Sequence, residues 1–433
     1  MPAAQQGADY VGTDTCASAA CHGGREADDD PIYTHWKDTK HAANNVGCES
    51  CHGPGSVHAA NPSKDNILTT PSSTDVVVCG QCHGPINDEW KLSAHSKLET
   101  HAIDGAIGNP NQYGRSSRCL ACHGGLVRIE TYERGIDLGT LSDEEIVNLA
   151  NDVLTKVPQT ATCATCHNPH SKTGNLTDTG DEVQLRHMTF NSDTSQVGPG
   201  TSAAQFTQFD HICAQCHNGR GANPADSALT SGTSRPNMHD SNQFNMLLGF
   251  GGVEGDGPVE RNTAHANAPG QCSKCHMPDS RHSFTVSFDK GCAPCHTAAD
   301  AAARASSIKD EVLNGLYSLR VRMANWATAT FGNDEFWEYT TNITTGTPPS
   351  QALVPIEIKR ARHNYYFVVR SGDYGVHNAP YAKHLIRVAN DNIDLLPGGP
   401  YRPQQLPSRQ QMLDIIRGDR ARAAKADMTA LDQ

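Results

Sequence analysis

The chain has 433 residues, of which 37% are hydrophobic and 6% aromatic, and its formal net charge is -12. That acidity argues against a nucleic-acid partner, which needs a basic face, and no apolar run approaches the ~20 residues that span a bilayer. With a mean hydropathy of -0.54, either part of the chain is disordered or something other than side chains fills its core.

The chain opens on "MPAAQQGADY", which lacks the basic and apolar regions of a secretion signal. A signal is therefore expected upstream of Met1. Cysteine begins at Cys16 and ends at Cys295, and all sixteen cysteines form eight pairs, each followed at once by histidine. The first pair is stretched: "CASAACH" gives Cys16, Cys21 and His22. Seven C-x-x-C-H motifs follow in order. They are Cys48/Cys51/His52, Cys79/Cys82/His83, Cys119/Cys122/His123, Cys163/Cys166/His167, Cys213/Cys216/His217, Cys272/Cys275/His276 and Cys292/Cys295/His296.

Three other uses of such pairs compete. Disulfides need an even count but no histidine after each second cysteine. Zinc sites pair two C-x-x-C elements and do not need histidine at that place. A thioredoxin-like motif occurs once, in a βαβ setting. Eight repeats without exception point to covalently attached haem c, eight in number. Two thioethers fix the vinyl edges of the porphyrin, and the adjacent histidine becomes the proximal iron ligand. In the stretched motif the two extra residues can bulge out without moving Cys21 relative to His22.

The spacing of the motifs leaves little room for regular structure. The expected fold is mainly irregular coil with short α-helices wrapped around eight stacked c-type haems, with a helical C-terminal segment and little or no β-sheet. Within the cysteine region, "LSDEEIVNLANDVLTKV" reads as a helix, with a capping box at Ser142 and Glu145. After His296 cysteine disappears. Ile308, Val312, Leu316, Leu319, Met323 and Trp326 recur at helical steps and predict a long amphipathic helix, which Gly315 weakens slightly. A second helix is expected from about Pro355 to Val369 and a third from about Tyr381, with His377 in the turn between them. The charged tail has helical character. The expected division is 1–297 for attachment, 298–400 for the helical segment and 401–433 for the tail.

Of 22 histidines, eight are proximal and fourteen remain for a second axial position. His58, His170 ("CHNPH") and His282 ("CHMPDSRHSF") follow a motif histidine too closely to reach the far face of the same haem. Each reads as a ligand to a neighbouring one. "WKDTKH" and "WKLSAH" share W-K-x-x-x-H and mark His41 and His95. "KHAANNVGC" and "AHANAPGQC" each place a histidine seven residues before a motif cysteine, at His41 and His265.

These elements, together with "GCESCHGPGSVH", "RPNMHDSNQFNMLLG", "AHANAPGQCSKCHM" and "GDYGVHNAPY", resemble the multihaem c-type cytochromes. That group includes the octahaem hydroxylamine oxidoreductase and tetrathionate reductase families and many electron carriers. By position the resemblance implies distal ligands at His41, His58, His95, His170, His239, His265, His282 and His377. His35, His101, His187, His211, His363 and His384 are then spare, with His101, His187 and His211 as substitutes.

Histidine supply matches demand, which favours an electron carrier with closed, low-potential irons. The alternative is an octahaem oxidoreductase acting on nitrite, hydroxylamine or tetrathionate at one open or Lys-ligated haem. No C-x-x-C-K motif is present, and none of the eleven tyrosines declares itself as a cross-link. Expected partners are redox proteins or extracellular electron acceptors, with no nucleic acid and no membrane span. The expected location is the periplasm or cell exterior. The carrier expectation extends to a homo-oligomer or an extracellular filament, a nanowire of copies.

Intact mass should exceed the 46.5 kDa polypeptide by about eight haem masses, roughly 5 kDa. Free thiols found by alkylation would contradict the attachment.

Overall fold

The structure is a computed structural model, and it describes residues 5–23, 32–68, 74–97, 122, 125–129, 142, 161–171, 183–189, 211–219, 224–230, 239–262, 264–293, 295–339, 343–397 and 405–431. Among the described residues there is helix, turn and coil but no strand. One isolated antiparallel bridge joins His167 to Leu185. The helix expected after Ser142 and the histidine at His101 lie outside the described residues. So do Cys119 and His123, which leaves Cys122 as the one described residue of the fourth motif. No helix is long and apolar enough to cross a membrane among the residues described.

The chain divides into two compact units, Met1–Phe190 with His276–Val286, and Asn191–Cys275 with Ser287–Gln433. The first unit is built of short helices, such as Thr13–Cys16, Cys48–His52, Ser56–Ala60, Gly84–Leu92 and Cys163–Cys166. Several begin or end on a motif cysteine. One or two turns cannot hold themselves together in water, so side chains tie them. Glu49, between the two cysteines of "CESCH", is buried. Its carboxylate accepts the amides of Val11 at 2.9 Å, Gly12 at 2.7 Å and Gly55 at 2.8 Å. Trp90 donates its indole N–H to the carbonyl of Ala161 at 2.9 Å.

The second unit holds the apolar core. Four helices build most of it: α1 (Ala298–Phe331), α2 (Ile356–Ser371), α3 (Ala379–Asp394) and α4 (Arg409–Leu431). α1 starts where Thr297 accepts the amide of Asp300 at 3.2 Å and stops at Gly332, whose φ of 76° is left-handed. Val312, Leu313, Leu316, Leu319 and Met323 are fully buried on one stripe of α1, as its period requires. A Cβ at Gly315 would lie 3.2 Å from Ile386 Cγ2. The glycine that weakens α1 locally is what lets α3 pack so close.

α2 is buried almost from end to end, although it carries three arginines and a lysine. Its charges are paired within the core. Arg362 Nε donates to Glu338 Oε2 at 2.9 Å, and the Tyr366 hydroxyl donates to the same carboxylate. Tyr365 donates to Asp419 of α4 at 2.6 Å, and Arg320 of α1 reaches Asp419 at 2.6 Å. Burial pushes the Asp419 carboxyl up, against the pull of Arg320. A buried ion pair of this kind adds little net stability, but losing one partner strands the other charge.

Glu338→Ala should therefore destabilise the second unit by about 3–5 kcal/mol. Denaturant titration followed by helical circular dichroism measures this, and a loss below about 1 kcal/mol would mean that Arg362 finds another partner.

Candidate functional site: paired histidines and attachment turns

Five of the cysteine motifs show one local geometry directly. The amide of the motif histidine donates to the carbonyl of the motif's first cysteine: His83 to Cys79 at 2.8 Å, His167 to Cys163 at 2.9 Å, His217 to Cys213 at 2.9 Å and His296 to Cys292 at 3.0 Å. In an ordinary C-x-x-C-H this is one helical hydrogen bond. The stretched motif closes the same bond, from His22 to Cys16 at 3.0 Å. The extra residues loop out, with the Ser18 carbonyl accepting the amides of Cys21 at 2.9 Å and Gly23 at 3.1 Å.

The fourth motif departs from the expectation that all eight form such a turn. Cys122 has helical backbone and is half-buried, but the structure does not assemble it with Cys119 and His123, which lie outside the described residues. Cys122 is therefore an attachment residue by sequence alone. The physical reason is that a C-x-x-C-H turn is defined by its first cysteine carbonyl and its histidine amide, and Cys122 supplies neither. Cys82 and Cys295, the second cysteines of the third and eighth motifs, are exposed.

Cysteines of different motifs lie close together. Burial, then the neighbouring Cys48 thiol, push the Cys16 thiol up to about 11. Burial and then Cys79 and Cys82 raise Cys51, and burial and then Cys292 raise Cys275. Cys272 is the exception. A hydrogen bond with the Cys213 thiol holds it well below the usual thiol range, with His211 assisting.

The histidines meet in pairs. His22 and His58 have ring centres 6.2 Å apart, His41 and His83 6.2 Å, His52 and His170 6.0 Å, His167 and His282 6.2 Å, and His265 and His296 6.4 Å. Each pair joins one motif histidine to one distal candidate. Across the pairs the interplanar angle runs from 11° to 82°. Separation is held while rotation is free. Ring stacking would constrain the angle as well. Two imidazoles on opposite faces of one iron, with metal–nitrogen bonds of about 2 Å, have ring centres roughly 6 Å apart and rotate freely about the shared axis. The residues present therefore fit haem c: paired thiols on a closed turn, and imidazoles facing across an iron-sized gap.

Most of the rings are oriented through Nδ1. His52 Nδ1–H donates to the Leu68 carbonyl at 2.7 Å, His58 to Ser63 at 3.0 Å, His167 to Val183 at 2.7 Å, His276 to Phe284 at 3.1 Å and His282 to Ser280 at 2.8 Å. His217 donates to the side-chain oxygen of Gln243 at 3.2 Å. A proton at Nδ1 leaves the Nε2 lone pair for a metal. Burial favours the neutral ring at His41 and His167, lowering both below the usual imidazole range.

The other candidates have different contacts. His95 packs edge-on against Phe284 at 4.4 Å. His239 Nδ1 meets the Asp240 carbonyl at 2.6 Å. His377, in the turn between α2 and α3, has Nδ1 3.3 Å from Asp373 Oδ2, and its carbonyl lies 3.4 Å from His265 Nδ1.

Among the spare histidines, His363 and His384 turn Nε2 to backbone carbonyls, of Gly251 at 3.1 Å and Glu254 at 2.8 Å. Both are structural. His211 reverses the usual pattern: its Nδ1 accepts the Cys213 amide at 3.1 Å. His35 is exposed and His187 half-buried. The sequence did not reveal the orienting acceptors, because backbone carbonyls carry no signature. Glu49 was hidden as an ordinary residue inside a motif.

Residues 78–135 match the family described as cytochrome c554 and c-prime. No curated protein matches the chain. Among solved structures the chain is similar to the crystal structure of outer cell wall cytochrome OcwA. The TM-score is 0.51 at 19% identity, over 80% of this chain and 70% of that chain.

Glu49→Ala should free the 5–23 segment, which carries Cys16 and His22, at a cost of about 2 kcal/mol. Limited proteolysis should then cut that segment several times faster than in the wild type, and an unchanged rate would mean that Gln5 anchors it alone.

Proposed function

We propose that this chain, which belongs to the multihaem c-type cytochromes and transfers electrons through covalently bound haem c, holds eight such groups in closed, bis-histidine sites. Haem c supplies one-electron chemistry when bound. The eight cysteine pairs would attach the groups, Cys122 with Cys119 for the fourth. His22, His52, His83, His123, His167, His217, His276 and His296 would be the proximal ligands. His58, His170, His41, His282 and His265 would close the first, second, third, fifth and eighth sites. His95, His239 and His377 would serve the fourth, sixth and seventh. The observation that carries this reading is the near-constant 6.0–6.4 Å separation of five histidine pairs at unrelated ring angles.

The chain's own residues do three things for electron transfer. The attachment turns hold each cysteine pair against its histidine. The Nδ1 acceptors fix the ring tautomer and stop the ring from turning, so ligation need not change with redox state. Imidazoles on both sides of each iron leave no position for a substrate, which supports a carrier over an oxidoreductase. Histidine on both faces, without methionine, lowers the potential.

The location would be outside the cytoplasm, as covalent haem attachment in the resembling cytochromes implies. The similar fold of an outer cell wall cytochrome supports this. Redox proteins or extracellular acceptors would exchange electrons with the chain. A filament of copies is one form such partners take.

Reduced wild-type protein should bind no carbon monoxide rapidly and should stay low-spin in both redox states. His170→Ala and His377→Ala should each keep full covalent haem and each gain one high-spin signal and one carbon monoxide equivalent. A stoichiometric adduct with the wild type would favour the oxidoreductase instead.

A further inference from the structure

His211 is fully buried and lies two residues before the sixth motif. Its Nδ1 accepts the amides of Cys213 at 3.1 Å and Ala214 at 3.4 Å, and its carbonyl accepts the amide of Gln215 at 3.2 Å. It thus caps the turn that carries Cys213, Cys216 and His217, in the way a side-chain acceptor caps a helix. A ring that accepts at Nδ1 carries its proton at Nε2. His211 therefore cannot offer Nε2 to a metal as the paired histidines do. Phe244 backs the ring at 5.8 Å.

One nitrogen of His211, Cys213 Sγ and Cys272 Sγ all lie within 4.8 Å of one another. In isolation this is a ligand set for a soft metal ion. The two cysteines, however, open the sixth and seventh attachment motifs. A thiol that has added across a vinyl group has given up its S–H and can only accept. The imidazole N–H is then a donor shared between sulfurs belonging to two different attachment sites.

We propose that His211 is a positioning residue that couples the sixth and seventh attachment sites. It caps the sixth turn through Nδ1 and holds the sulfurs of Cys213 and Cys272 beside one another through Nε2–H. It thereby sets the spacing at which electrons cross between the groups carried there. Donation toward both sulfurs withdraws electron density from both groups, so it raises their two potentials together. The inference rests on the proposed attachment of haem c at both motifs.

Two substitutions separate the roles. His211→Asn places its amide oxygen where Nδ1 was, which keeps the cap and removes the donor. His211→Gln places an amide N–H near the Nε2 position, which keeps the donor and weakens the cap. The holoproteins are first checked by intact mass and alkylation, then titrated by spectroelectrochemistry. His211→Asn should retain full haem content while two of its one-electron steps move to lower potential and the rest stay. His211→Gln should titrate like the wild type but melt at a lower temperature. Identical titrations of His211→Asn and the wild type would overturn the inference, as would equal shifts in both variants. If either variant loses haem, the other decides alone. Free thiols at Cys213 or Cys272 in the wild type would instead overturn the attachment reading, and a metal site would take its place.

Discussion

The hydrogen bond from the motif histidine back to the carbonyl of its first cysteine is the constraint on which the attachment region depends. It fixes the chain for one turn and sets two thiols and an imidazole in one relation. The stretched motif shows how strict the requirement is. Two residues are added, yet the bond from His22 to Cys16 is kept at 3.0 Å and the surplus is looped out. A short turn of this kind has no stability of its own. It is held by groups such as the Glu49 carboxylate, which draws together Val11, Gly12 and Gly55.

The histidines divide by which ring nitrogen the backbone occupies. His52, His58, His167, His276 and His282 give Nδ1–H to carbonyls and keep Nε2 for a metal. His363 and His384 spend Nε2 on the carbonyls of Gly251 and Glu254, which ties the loop before Arg261 to α2 and α3. His211 takes its proton at Nε2 because Nδ1 is a cap. The same side chain thus serves as ligand, strut or bridge, and a single hydrogen bond decides which.

The two units answer the low apolar content differently. The second packs its own residues: α1, α2 and α3 bury Leu316, Leu319, Tyr365, Phe367 and Leu385 completely, and the charges of α2 are absorbed by Glu338 and Asp419. Its smaller cluster around Phe244, Leu247 and Phe250 packs against Cys272, so apolar packing reaches an attachment site. The first unit has short helices and polar ties in place of such a core, and its histidine rings stand in pairs across gaps.

The helical C-terminal segment was legible because its apolar residues repeat at the period of a helix. The structure extends the first helix to Ala298–Phe331 and places the next two over Ile356–Ser371 and Ala379–Asp394, close to what the pattern implied. The cysteine motifs were legible because the attachment chemistry is local in sequence. A thiol, a thiol and an imidazole must sit on one turn, and the chain writes them side by side. That is why Cys122 can be placed in a motif from its neighbours Cys119 and His123 in the sequence, although its own half-buried position does not display one. Which histidine faces which could not be read that way. His52 meets His170 and His167 meets His282 across long stretches of chain, and a histidine's neighbours in sequence do not say where its ring will point. Nor could the sequence say that His211 turns its nitrogens the other way, since that depends on two amides presented by the folded turn. Residue type and spacing determined the covalent chemistry. Only the tertiary structure decided the pairing, because pairing depends on distance in space and on which ring nitrogen the backbone leaves open.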